Sequence, residues 1–214
     1  MSKSAQPIAR TIGTELERRI IEGVYAQAGP LRQADLASEF GVSHIPVREA
    51  LATLAEKGLV RIVPNRGAVV VPLSAGQCGE LAEMRCALED IAIRNAVPAL
   101  ADDQVAAARQ ALRAGAAATG LSERAHWNWV FHRSLYAAAK RPFLMEQLES
   151  LWRHADRYLQ YAWARARYEA RSDQEHAEIL DACIAGDAAL ASRLTRRHIR
   201  SAARAVERLL AGPP

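Results

Sequence analysis

Apolar residues recur along the first seventy positions in more than one rhythm. Ile8, Ile12, Leu16, Ile20 and Ile21 return about once per helical turn, which predicts an amphipathic helix over residues 8–22. After the loop GVYAQAGPL, Leu36, Ala37 and Phe40 mark one face of a short helix over 33–40. Gly41, free to take positive φ, should end it. A third helix is expected over 45–57, with Val47, Leu51 and Leu54 inward and Gly58 as its stop. The period then changes. VRIV (60–63) and AVVV (68–71), joined by PNRG, read as two strands of a tight hairpin. From Ser74 onward the β signal disappears. Breaks at Pro98, Gly120, Arg141–Pro142 and Gly186 divide the rest into about six helices over 76–96, 102–118, 122–139, 143–166, 172–185 and 187–211. The expected fold is therefore mostly α. A winged helix-turn-helix with a two-stranded wing fills residues 1–73, and an all-α helical bundle of about six helices fills 74–214.

Composition narrows the classes. Half of the 214 residues are apolar, enough for one large or two modest cores. No run approaches the roughly 18 unbroken apolar residues of a membrane span, and MSKSAQPIAR lacks the apolar core of a secretion signal. The three cysteines are odd in number and scattered; Cys78 and Cys86, eight apart on one helix, would lie about 12 Å from each other. A cytoplasmic, reducing location fits this pattern. The net charge of +4 is modest, and residues 1–73 hold nine Lys/Arg against seven Asp/Glu. Nucleic-acid binding would thus rest on a few placed cations and not on a global field.

The helices over 33–40 and 45–57 have helix-turn-helix spacing. Ala37 is small where the two approach, Gly41 makes the turn, and Val47 packs into the angle. Ser43 suits an N-cap, and Pro46 falls in the first turn, where its missing N–H is harmless. The outer side presents His44, Arg48 and Thr53. Recognition helices use their first turns on base edges, and Arg can bridge O6 and N7 of guanine, so Arg48 is the expected base reader. Ser43 and His44 are placed for phosphate or base, and Asn65 and Arg66, at the hairpin tip, for the backbone or minor groove.

In these residues, VSHIPVREAL…GLV…PNRGAVV, the chain closely resembles the GntR family of bacterial winged-helix regulators over residues 8–73. His44 and Ile45 stand where that family usually carries Arg and Thr, and Gln27–Ala28 where it carries Pro-Gly.

In the second half, Asn128 and His132 are one turn apart on a helix face. His176 lies ten residues before Gly186 and His198 twelve after, so an antiparallel hairpin would set both imidazoles about 15–18 Å from the turn. Three histidines and an oxygen donor inside a bundle could hold a divalent transition metal of the zinc or nickel kind; surface or hydrogen-bonded core histidines are the plainer alternative. NWVFHRSLYAAAKRPFL, QEHAEILDACIAGD and RRHI resemble the FCD-type effector domain of the FadR branch. That resemblance implies metal ligation through Asn128, His132, His176 and His198, with Asn128 replacing an aspartate. It also implies that Arg85, in EMRCALED, meets an effector carboxylate; a surface i, i+4 pair with Glu89 is the alternative. The tryptophans (127, 129, 152, 163) read as packing residues, with Trp127 and Trp129 flanking the site. His126 and His154 read as surface residues.

The expectation is a metabolite-responsive regulator, more often a repressor in this family, and not an enzyme. It would bind palindromic double-stranded DNA as a homodimer and respond to a small carboxylate metabolite. Two rivals carry other predictions. One is a helical metalloenzyme using the three histidines; it lacks a positioned acid or base apart from Glu175. The other is a dimeric DNA-binding protein without an effector.

Overall fold

The computed structural model describes residues 5–25, 28–64 and 66–211. It divides into two compact units, Met1–Leu73 and Ser74–Pro214. In the first, α1 (Ala5–Ile21) packs on α3 (His44–Glu56), and Gly13 brings the α1 backbone close to Ala50. Ile12, Leu16 and Ile21 are buried and Ile20 partly so, whereas Ile8, expected in the same stripe, is 41% exposed. The helix α2 (Gln33–Phe40) stops at Gly41, whose φ of 64° is left-handed. The Val42 N–H then donates to the Ala37 carbonyl at 3.0 Å. Leu36, Ala37, Val47, Ala50, Leu51 and Leu54 close the angle between α2 and α3.

The wing has three strands, not two. Besides β2 (Val60–Val63) and β3 (Gly67–Val70), a short β1 (Pro30–Leu31) pairs antiparallel with β3, giving the order β1-β3-β2. Two residues are too few to show a period of two, so the pattern of the chain could not reveal β1. Gly67 admits it. Its φ is +106°, and a Cβ there would sit 2.1 Å from the Leu31 carbonyl oxygen.

The second unit is all helix: α4 (Ala75–Ala96), α5 (Asp102–Ala117), α6 (Leu121–Tyr136), α7 (Pro142–Ala166), α8 (Glu169–Ile184) and α9 (Ala188–Ala211), with short 3-10 turns after α4 and α6. Ser74 caps α4 by accepting from the Gln77 N–H. Ala92, Ile93, Phe131, Leu135, Tyr136, Leu148 and Ile179 form the apolar centre. All three cysteines are buried and free. No helix among the described residues is long and apolar enough to cross a membrane.

Gly67→Ala should destabilise the first unit by about 2 kcal/mol or more, because it adds both a strained φ and a clash with backbone. All four tryptophans lie in the second unit, so the check is amide hydrogen exchange in α2, α3 and the sheet. Unchanged protection there would contradict the packing described.

Candidate nucleic-acid interface and metal centre

The buried side of α3 is Pro46, Val47, Ala50, Leu51 and Leu54, which leaves Ser43, His44, Ile45, Arg48 and Thr53 exposed. Ser43 occupies the N-cap, but its hydroxyl makes no capping bond and remains outward. The Thr53 hydroxyl donates to the Glu49 carbonyl within the helix, and its side chain lines the groove between α3 and α1 with Arg10 and Thr14. Thr53 therefore stands to one side of the face carrying His44 and Arg48. Ile45 is 55% exposed and sits between them along the chain. Arg66 is exposed at the hairpin tip, where its N–H donates to the Val63 carbonyl; Asn65 lies outside the described residues.

In the bundle, His132 comes from α6, His176 from α8 and His198 from α9, and all three are buried. One donor atom from each lies within 4.8 Å of the other two. The Nε2 atoms of His132 and His176 are 3.2 Å apart. A metal–nitrogen bond of about 2.0–2.1 Å places two nitrogens of one ion roughly 3–3.4 Å apart, so this pair already has the required separation. Burial, reinforced by the neighbouring imidazoles and by Arg85, holds the pKa of His132 and of His176 well below the ordinary value. Both rings are thus kept in the neutral form that a metal requires.

The outer partners of these rings are equally defined. His132 Nδ1 lies 3.1 Å from the Tyr136 hydroxyl, which donates to Glu89 Oε2 at 2.5 Å. His198 Nδ1 lies 2.9 Å from Glu175 Oε2. Glu175 also accepts from Tyr168 at 2.7 Å and from Arg171 at 2.9 Å. Burial acts to raise the Glu175 pKa, but hydrogen bonds from His198, Tyr168 and Arg171 outweigh it and hold the carboxyl at about 2.

Arg85 does pair with Glu89, Nε to Oε1 at 2.6 Å, yet this is no surface pair: the two side chains are 8% and 0% exposed. The guanidinium lies 3.9 Å over the Trp152 ring, and its Nη2 is buried without a partner. Asn128, one turn before His132, has both amide atoms buried without a partner. A buried polar atom left unpaired is destabilising, and a ligand bound beside the histidines would relieve these two. The donor set suits a divalent transition metal: three buried imidazoles, with an amide oxygen one turn away.

Of the tryptophans, Trp152 is the one against the cluster, with its ring centroid 5.0 Å from that of His132. Trp129 touches Trp152, while Trp127 packs by Gly115 and His126. His126 and His154 are exposed. Sequence reasoning missed Glu89, Tyr136, Tyr168 and Trp152 as neighbours of the histidines. The one available signal was the four-residue spacing of His132 and Tyr136 on an inward helix face.

These shifts fix the sign of a pH effect. An unfolded imidazole takes up a proton near pH 6.5, whereas folded His132 and His176 resist it until lower pH. The unfolded state therefore binds more protons below about pH 6.5, and stability falls with pH there, by at most about 1.4 kcal/mol per pH unit for each ring. The contribution of Glu175 is present above its unfolded value, near 4.5, and is lost only as pH falls toward about 2. Chelator-treated protein followed by tryptophan fluorescence should lose denaturant resistance between pH 7 and 5; a flat profile would contradict the burial of neutral rings.

Comparison with known proteins places both units. Residues 8–70 match the family of bacterial regulatory proteins, gntR family, and residues 80–201 match the FCD domain. The HTH-type transcriptional repressor RspR of Escherichia coli is 26% identical over 207 residues, covering 95% of this chain and 91% of that protein. The uncharacterized HTH-type transcriptional regulator BphR of Paraburkholderia xenovorans is 31% identical, covering 87% and 80%. The crystal structure of a putative transcriptional regulator GntR from Rhodococcus sp. RHA1 aligns with a TM-score of 0.68 at 23% identity, over 96% of this chain and 99% of that one, a likeness of fold. The chain belongs to the GntR family, with an FCD domain in its second half, and is a DNA-binding transcriptional regulator and not an enzyme.

Proposed function

We propose that this regulator is a cytoplasmic homodimeric repressor that leaves its operator when a small carboxylate metabolite binds inside the helical bundle beside a divalent metal. The observation that carries the reading is the convergence of His132, His176 and His198 next to a guanidinium nitrogen and an amide that have no protein partner. In this reading Asn128, His132, His176 and His198 hold a zinc- or nickel-like ion, which supplies a Lewis-acidic anchor for an anionic group. The free Nη2 of Arg85 meets a carboxylate oxygen of the effector. Two first units read the halves of a palindrome about one helical turn apart, with Arg48 on a base edge. Ser43, His44 and Arg66 contact phosphate or neighbouring bases, together with Asn65, which precedes Arg66 in the sequence and lies outside the described residues. Thr53, turned toward the α1 groove, takes at most a marginal part. The effector acts only through its differential affinity for the DNA-competent and incompetent arrangements. Relatives whose names include "repressor" favour that sign of control.

Arg48→Ala should weaken binding to a selected operator by about 1–3 kcal/mol, roughly 5- to 150-fold, with little change on random duplex. Equal operator affinity would remove Arg48 from the base-reading role. The combined change His132→Ala and His176→Ala should abolish metal in elemental analysis of the purified protein while operator binding persists. Full metal content in that variant would refute the site. Thermal-shift titration with organic acids tests the effector directly. A ligand of the native state stabilises it by RT ln(1 + L/Kd), where L is its free concentration, and so raises the midpoint with the logarithm of that concentration. No shift with any acid would contradict the effector site.

A further inference from the structure

The hydrogen bonds behind the histidines determine more than packing. A phenol has one proton. Tyr136 donates it to Glu89 Oε2, a carboxylate oxygen that Arg85 holds in place through Oε1. Toward His132 the phenol oxygen can therefore only accept, so Nδ1 of His132 must carry the ring proton. Nε2 is then the nitrogen with the free lone pair, and it is the atom that faces His176 Nε2. On the opposite side of the cluster the same logic is shorter. Glu175 Oε2 is acceptor-only, so Nδ1 of His198 must be its donor, and in the neutral ring that a metal requires the lone pair is then on Nε2. Tyr168 and Arg171 both donate to Glu175 and fix the carboxylate that fixes the ring.

We infer that Tyr136, backed by Glu89, and Glu175, backed by Tyr168, are positioning residues that set the tautomer and orientation of two metal-binding imidazoles, so that His132 and His198 both offer Nε2. The inference rests on the proposed metal site and adds to it four residues outside the ligand set. Histidine ligands generally depend on such outer acceptors, which hold the ring and raise its donor strength. The two arms are unequal. His198 bonds a carboxylate directly, whereas the carboxylate behind His132 acts through a neutral phenol. His198 is consequently the stronger donor of the two, and its outer partner matters more.

The test uses the full chain. Chelator competition for Zn2+ should show about 10- to 100-fold weaker binding in Tyr136→Phe and in Glu175→Gln, with the larger loss in Glu175→Gln. The visible spectrum of the Co2+-loaded protein should shift in both. A long-range 1H–15N spectrum of the Zn2+-loaded wild type needs no variant to fold. It should show His132 and His198 protonated at Nδ1 and metal-bound at Nε2. Metal on Nδ1 of either ring, or undiminished affinity in both variants of a protein that does bind Zn2+, would overturn this inference alone. A wild type that takes up no Zn2+, Ni2+ or Co2+ would overturn it together with the metal site beneath it.

Discussion

Three imidazoles brought together in a buried interior constrain the whole second unit. Desolvation keeps His132 and His176 unprotonated, and each polar nitrogen then needs a partner because water is excluded. The partners come from four helices. Glu89 stands on α4, Tyr136 on α6, and Glu175 on α8, while Trp152 on α7 lays its ring against both His132 and Arg85. The bundle is thus organised around a polar centre whose histidines are partnered by one another and by these residues, while the Asn128 amide, Arg85 Nη2 and the Trp152 indole N–H stay buried without a protein partner. Those exceptions set this interior apart from an ordinary helical core.

The chain revealed its local elements well where one residue governs the outcome. Gly41 ends α2 because only a left-handed residue can follow Phe40 there, and the helix bounds were readable from that fact. The one-turn step from Asn128 to His132, and the near-equal offsets of His176 and His198 from Gly186, were enough to suggest a shared site. What the spacing could not supply was the second layer of contacts. Glu89 and Tyr136 are 47 positions apart, and their bond depends on how α4 and α6 are packed. The reading of Arg85 as either a ligand contact or a partner of Glu89 posed alternatives that the fold does not separate, since the guanidinium bonds Glu89 through Nε while Nη2 stays free.

In the first unit the differences have equally local causes. Ile8 continues the periodicity of α1 but sits near the helix start and is exposed, while Ala9 beside it is buried. Ser43 has the right residue type and backbone for a cap, yet its hydroxyl is unengaged. An unengaged hydroxyl at an exposed helix N-terminus is free to meet a phosphate, so the missing cap bond and the expected contact are compatible.

The third strand has a topological consequence. Because β1 precedes α2 and its neighbour β3 follows α3, the two helices form a closed loop whose ends are stitched together in one sheet. The hairpin cannot leave the helix pair without giving up the pairing of Leu31 with Ala68. Local opening of the hairpin is therefore coupled to the chain that leads into α2. A two-residue strand lying outside the reading surface in this way tethers the wing to the segment just before α2.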